Sequence, residues 1–171
     1  RLQNVFDNSR RTGQPLTLVV IDVNRFKDIN DIEGHEAGDL AIVRTADVIK
    51  NSIRSSDEAF RWGGDEFVII LPTGIDGASK LVGRLREDFK KAEIPHPTEE
   101  LVTLSIGLAE YPKNAHMPDE LFREADLAAK EAKAKYREET SYWRPVLTLK
   151  RPFKRPLSEG ATKVSDVLAN D

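Results

Sequence analysis

The stretch Glu58–Leu71, EAFRWGGDEFVIIL, decides the fold. Its halves, Glu58–Trp62 and Glu66–Leu71, are rich in aromatic and β-branched residues and read as strands. Between them, Gly63-Gly64-Asp65 reads as a hairpin turn, because glycine tolerates the positive φ such turns require. Stability alone does not explain this turn. Adjacent glycines weaken a strand, and the adjacent carboxylates of Asp65 and Glu66 repel each other.

Working outward, Leu16–Asp22 is a continuous apolar run ending in an acid, as expected of a strand buried on both faces. Ahead of it, residues 1–12 carry Leu2, Val5 and Phe6 at helical spacing, with Gly13 as a stop. Behind it, Asn24–Asp31 reads as a short helix and Gly34-His35 as a break. Glu36–Arg54 reads as a longer helix with Leu40, Val43, Ala46, Ile49 and Ile53 on one side. Beyond the hairpin, Ala78, Leu81, Val82, Leu85 and Phe89 mark an amphipathic helix, with Pro95 and Pro97 past its end. Leu101–Ala109 reads as a strand. Pro118–Lys135 reads as a helix that opens on Pro118-Asp119-Glu120 and closes on basic residues, as the helix dipole favours. The order β-α-α-β-β-α-β-α with a central hairpin predicts an α/β (α+β) sandwich, a mixed, largely antiparallel sheet flanked by helices.

With 171 residues, 39% of them hydrophobic, the chain is the size of one ordinary domain. Its net charge of −3 argues against bulk electrostatic binding of nucleic acid. Without cysteine there is neither a disulfide nor a thiolate metal site. The apolar runs LTLVVI and FVIIL are far shorter than the ~20 residues a membrane helix needs, and no signal peptide opens the chain. The expected location is cytoplasmic, in the cytosol or on the cytosolic face of a membrane-anchored sensor. Because Arg1 stands in place of a methionine, the chain is expected to be a fragment, with sensory or effector domains elsewhere. After Glu138 the composition shifts. Residues 144–156 hold three prolines and five cations with no acid, which reads as an extended arm or linker.

Asp22 stands where a buried strand ends, the place α/β sheets tend to present ligand groups. The hairpin brings Asp65 and Glu66 beside it, and three carboxylates at one sheet edge repel unless a cation joins them. Oxygen ligands of this kind suit Mg²⁺ that shares its shell with substrate phosphates. Bare glycines at 63 and 64 leave room for a triphosphate against backbone amides. Lys27, Lys133 and Arg137 supply charge to neutralise it. Taken singly these residues have ordinary structural readings, such as helix caps for Asn30 and a solvated helix position for Lys133.

Together, FRWGGDEF and IDVNRFKDINDIEGHEAGD closely resemble the GGDEF family of diguanylate cyclases. The resemblance extends through TLSIGLA (103–109) and READLAAKEAK (123–133) and covers residues 1–137, leaving 138–171 as a tail. It implies a nucleotide-cyclase-like palm with its active-site hairpin at 58–71. It also implies condensation of two GTP into cyclic di-GMP with release of two pyrophosphates, in a transient antiparallel homodimer. By motif, Asp22, Asp65 and the Val23 carbonyl would hold Mg²⁺, for which Mn²⁺ can substitute. Asp65, Glu66 and Lys27 would be catalytic. Asn30 and Asp39 would read guanine. Lys27, Gly63, Gly64, Lys133 and Arg137 would accommodate the phosphates. Arg54 and Asp57 match an RxxD site for inhibitory cyclic di-GMP, with Arg84 as a secondary contact. The alternative is a silent module that binds GTP or cyclic di-GMP to regulate an attached domain. Three features depart from the family pattern. Asn24 replaces a common second aspartate, AAKEAK lacks an aromatic before its final AK, and KYR replaces GR.

Overall fold

The computed structural model describes residues 1–92, 94, 102–134, 140–142 and 162–167. Helix α1 (Leu2–Thr12) leads into β1 (Leu16–Val23), then α2 (Phe26–Glu33) and α3 (His35–Ser52). The hairpin β2 (Glu58–Gly63) and β3 (Glu66–Leu71) follows, then α4 (Ile75–Lys91), β4 (Leu104–Tyr111) and α5 (Pro118–Ala134). Short elements β5 (Thr140–Tyr142), β6 (Thr162–Lys163) and α6 (Val164–Val167) complete the described chain. The sheet order is β5-β4-β1-β3-β2-β6, antiparallel throughout except for the parallel β4–β5 pair. The expected mixed, largely antiparallel sheet is therefore present, with β1 and β3 at its centre.

The two-residue period of the strands sorts the core into two layers. Val19, Ile21, Phe67, Ile69, Ile106 and Leu108 face α3 and α4. Leu18, Val20, Val68, Ile70 and Ala109 face α1 and α5. Strand β1 is buried on both sides, which explains its unbroken apolar run. Buried Glu110 on β4 accepts the Ile75 N–H at 2.8 Å and so ties the start of α4 to the sheet. No helix among the described residues is long and apolar enough to cross a membrane.

Helix α3 corrects one expectation. Its buried face runs through Gly38, Ala41, Ile42, Thr45, Ala46, Ile49 and Ser52, while Leu40 is 51% exposed. At about 100° per residue, nine positions separate Leu40 from Ile49 by half a turn of the helical wheel, so both cannot face the sheet. Element ends also move. Helix α2 begins at Phe26 because Asn24 is held by β4 and Arg25 takes a left-handed φ of 57°. Strand β4 begins at Leu104; Leu101, Pro95, Pro97, Lys135 and residues 144–156 lie outside the described residues.

One packing contact bears on the site. A Cβ added at Gly107 on β4 would lie 2.1 Å from the Ala125 carbonyl oxygen and 2.2 Å from the Ala129 nitrogen. Only glycine permits α5 to lie this close to the strand.

Candidate active site

The site forms where β1 ends beside the hairpin. Asp22 on β1 sits opposite Glu66 on β3 and opposite Ser105 on β4. The turn closes with Gly64 at φ 54°, in the left-handed region glycine enters without strain. A register shift between Arg61 and Gly63 accompanies it, and the Arg61 Nε donates to the Gly64 carbonyl at 2.9 Å. The Val23 N–H donates to the Asp65 carbonyl at 3.1 Å. That bond pins the hairpin acids to the end of β1, so residues 22, 23, 65 and 66 meet although over forty positions separate the two segments.

Asn24 then locks the strand end in place. Its amide Nδ2 donates to Thr103 Oγ1 at 2.9 Å, and its Oδ1 accepts from Ser105 Oγ at 2.7 Å. Its backbone N–H donates to the Thr103 carbonyl at 2.8 Å. Both ends of a buried amide are satisfied, so position 24 holds β1 to β4 here. Arg25 follows in its left-handed conformation, with Nε donating to Asp28 at 2.8 Å. Such a conformation is uncommon for a residue with a side chain, and functional sites are where it tends to occur.

The electrostatics are strained in one direction. Lys133 Nζ, from α5, lies 2.7 Å from both Asp22 oxygens but forms a hydrogen bond with Oδ2 alone. Asp22 Oδ1 is buried and is held by the charge of that ammonium rather than by an aligned hydrogen bond. Burial holds the Asp22 carboxyl above its ordinary range; the Lys133 hydrogen bond opposes this and the Asp65 charge adds to it. Glu66 is raised as well, by burial first and then by the charges of Asp22, Asp126 and Asp65, against a weaker pull from Lys130. For Lys133, burial pulls the pKa down, but the Asp22 bond and the surrounding acids outweigh it and the net movement is upward. Negative charge in excess of its compensation is thus concentrated at the strand end.

The donor set fits a hard cation. It offers carboxylates and carbonyls, and one ammonium, Lys133, faces the three acids Asp22, Asp65 and Glu66. No three His, Asp or Glu side chains among the described residues converge into a ready cage. That suits an ion that takes one or two carboxylates and completes its shell with water and phosphate oxygens.

An open cleft of about 510 Å³ adjoins these acids. Its walls include Asn24, Lys27 and Asp65 on one side and Lys130 and Lys133 of α5 on the other. Lys27 is 85% exposed, 3.9 Å from Asp31. Asn30 packs over Gly38, where an added Cβ would lie 2.0 Å from its Oδ1, and Asp39 follows on the exposed side of α3. Asn30 and Asp39 therefore share the α2–α3 corner rather than the cleft wall. Arg137 lies outside the described residues.

The RxxD segment forms a tight turn after α3. The Asp57 N–H donates to the Arg54 carbonyl at 3.0 Å, and Asp57 Oδ2 accepts the Arg54 N–H at 2.9 Å. Ser56 Oγ donates to Asp57 Oδ1 at 3.1 Å. Asp57 therefore shapes the turn, while the Arg54 side chain is exposed. Arg84 donates to the Ser52 carbonyl at 2.6 Å, which puts its guanidinium at the end of α3 just ahead of Arg54.

Sequence reasoning did not anticipate the lock made by Asn24, the close approach at Gly107, or the pair formed by Asp126 and Lys130. The last had a readable signal, since 126, 130 and 133 fall on one helical face.

Comparison with known proteins agrees with this architecture. Residues 1–139 match the family model described as Diguanylate cyclase, GGDEF domain. The chain is 37% identical over 142 residues to the probable diguanylate cyclase DgcC of Escherichia coli, covering 81% of this chain and 38% of that protein. The chain thus spans well under half the length of that curated relative. The GGDEF domain of YfiN (TpbB) from Pseudomonas aeruginosa superposes with a TM-score of 0.76 at 32% identity, covering 84% of this chain and 91% of that one. The GGDEF domain of DgcB from Caulobacter crescentus, solved with c-di-GMP, gives a TM-score of 0.75 at 25% identity, covering 82% and 85%.

Proposed function

The chain belongs to the GGDEF family of diguanylate cyclases, and from that premise we propose that it condenses two GTP molecules into cyclic di-GMP. The observation that carries the reading is Asp22, paired with Lys133 at 2.7 Å beside the Asp65-Glu66 hairpin at the mouth of a lysine-lined cleft. In this reading residues 1–137 form the catalytic domain and 138–171 a basic, Pro-containing tail.

Asp22, Asp65 and the Val23 carbonyl would hold the metal, Mg²⁺ or Mn²⁺. When bound, it would withdraw charge from the α-phosphate and offset the carboxylates. Gly63 and Gly64 leave space for the polyphosphate against the turn. Lys133, released from Asp22, and Lys27 stabilise charge that builds on the phosphates, and Arg137 joins them. Asn30 and Asp39 meet the guanine edge, one offering an amide and the other accepting from ring N–H groups. Glu66 accepts the proton of the ribose 3′-hydroxyl as that oxygen bonds to the α-phosphorus and pyrophosphate departs in line. Asp65 is engaged with the metal in this reading, which leaves the neighbouring Glu66 carboxylate to take the proton.

One site holds one GTP, so ring closure needs a second copy of the domain facing the first, in a transient antiparallel homodimer. Cyclic di-GMP would return to Arg54 as an inhibitor, with Arg84 beside it and Asp57 holding the turn. The full protein would act in the cytoplasm, with sensory or effector domains setting how often two copies meet. The test is incubation of purified protein at high concentration with GTP and Mg²⁺ or Mn²⁺. Chromatography and mass spectrometry should detect cyclic di-GMP and pyrophosphate in a 1:2 ratio. Absence of product even when the domain is forced to dimerise would refute the reading.

A further inference from the structure

We propose that Lys130 is a substrate-binding residue, a second α5 ammonium that exchanges Asp126 for the nucleotide's polyphosphate beside Lys133. The inference rests on the reading that the cleft takes GTP.

Lys130 and Lys133 lie three residues apart on α5, and both line the cleft that contains Asp65 and Lys27. Their engagements differ. Lys133 is committed to Asp22, a proposed metal carboxylate, through a partly buried contact with side-chain exposures of 46% and 14%. Lys130 is bonded to Asp126 one turn back on its own helix, at 2.5 Å, and its side chain is 66% exposed. The Asp126 side chain is 18% exposed, and an i,i+4 pair with its lysine in solvent adds little to a helix. The fold therefore has little need of the pair, and a phosphate can take Lys130 from it at small cost.

Charge counting points the same way. A nucleoside triphosphate with one divalent cation retains roughly two negative charges at neutral pH. It would enter a cleft whose rim already carries Asp65, with Asp22, Glu66 and Asp126 close by. Lys133 is shared with Asp22, and Lys27 on the opposite wall adds one charge, so the phosphates and the four acids still outnumber the described cations that face them. Lys130 is the other α5 cation on the cleft wall. Asp126 then acts as a positioning residue that keeps the lysine folded along the helix toward the cleft until substrate arrives.

The test uses 3′-deoxy-GTP, which lacks the attacking hydroxyl and cannot be turned over, titrated by calorimetry with Mg²⁺ present. Lys130→Met should weaken its binding about tenfold, the loss of one charge-assisted contact. Guanosine binding should change less than about twofold and Lys130→Arg should retain most of the triphosphate affinity. The melting temperature of Lys130→Met should stay within about 1 °C of wild type, as a pair within one helix with its lysine in solvent implies. Triphosphate affinity in Lys130→Met equal to wild type would overturn the inference, as would an equal loss for guanosine. Failure of the wild-type protein to bind 3′-deoxy-GTP at all would instead overturn the nucleotide reading on which it rests.

Discussion

Gly107→Ala is a single methyl group aimed at the joint between sheet and site. The added Cβ would lie 2.1 Å from the Ala125 carbonyl oxygen and 2.2 Å from the Ala129 nitrogen, where ordinary contact begins at 3.4 Å. Restoring that contact requires α5 to retreat by roughly 1.3 Å, since both obstacles are backbone atoms and no side chain can rotate away. Overpacking of this kind costs about 1–3 kcal/mol. In a protein of this size that lowers Tm by about 3–10 °C. The retreat also carries Lys133 away from Asp22, 2.7 Å distant in the native protein, and widens the cleft wall. GTP affinity should therefore fall along with stability. Gly83→Ala is the control. Nothing lies within 4 Å of its Cβ, the position is helical, and alanine there should be neutral or stabilise by up to about 1 kcal/mol. Trimming Ala125 or Ala129 to glycine should not rescue Gly107→Ala. A Gly107→Ala protein that melts with wild type, or is rescued by such trimming, would refute the reasoning.

Three further outcomes follow from the site. Asp22 and Glu66 hold protons more tightly folded than unfolded, so their contribution is fully present at pH below about 4 and is lost as pH rises through their raised folded values. Thermal melts of metal-free protein should show this decline, Mg²⁺ should reverse it increasingly toward neutral pH, and Glu66→Gln should raise the metal-free Tm by about 2–4 °C. Asn24→Asp forfeits the donor to Thr103 and buries a charge near Asp22, so the metal-free protein should lose about 1–3 kcal/mol in denaturant unfolding. Arg54→Ala should relieve inhibition by added cyclic di-GMP with Tm unchanged, whereas Asp57→Ala should relieve inhibition and lower Tm, because Asp57 also shapes its turn.

Much of the architecture is legible in the sequence because it is local. The period of FVIIL, the unbroken run LTLVVI and the Gly63-Gly64 turn each announce their own element, and Asp22 and the hairpin acids mark the ends of neighbouring strands. Leu40 misleads because a helix of eighteen residues offers more than one apolar stripe, and only packing selects between them. Asn24 looks like a weakened metal ligand until Thr103 and Ser105, some eighty positions away at the start of β4, supply partners for both ends of its amide. The role of Gly107 is equally non-local, since nothing in TLSIGLA reveals that another helix's backbone will lie against it. Lys130 and Lys133 share a visible helical face, but which lysine meets Asp22 depends on where α5 comes to rest.

The central claim is that Asp22 and the GGDEF hairpin form a metal-dependent catalytic site for joining two GTP molecules. Its most direct test is product formation from GTP and Mg²⁺ by the domain fused to a dimerising coiled coil, compared with the same fusion carrying Asp65→Asn and Glu66→Gln. The wild-type fusion should accumulate cyclic di-GMP and the double variant none, although it remains folded. Product from the double variant at the wild-type rate, or none from the dimerised wild type, would contradict the account.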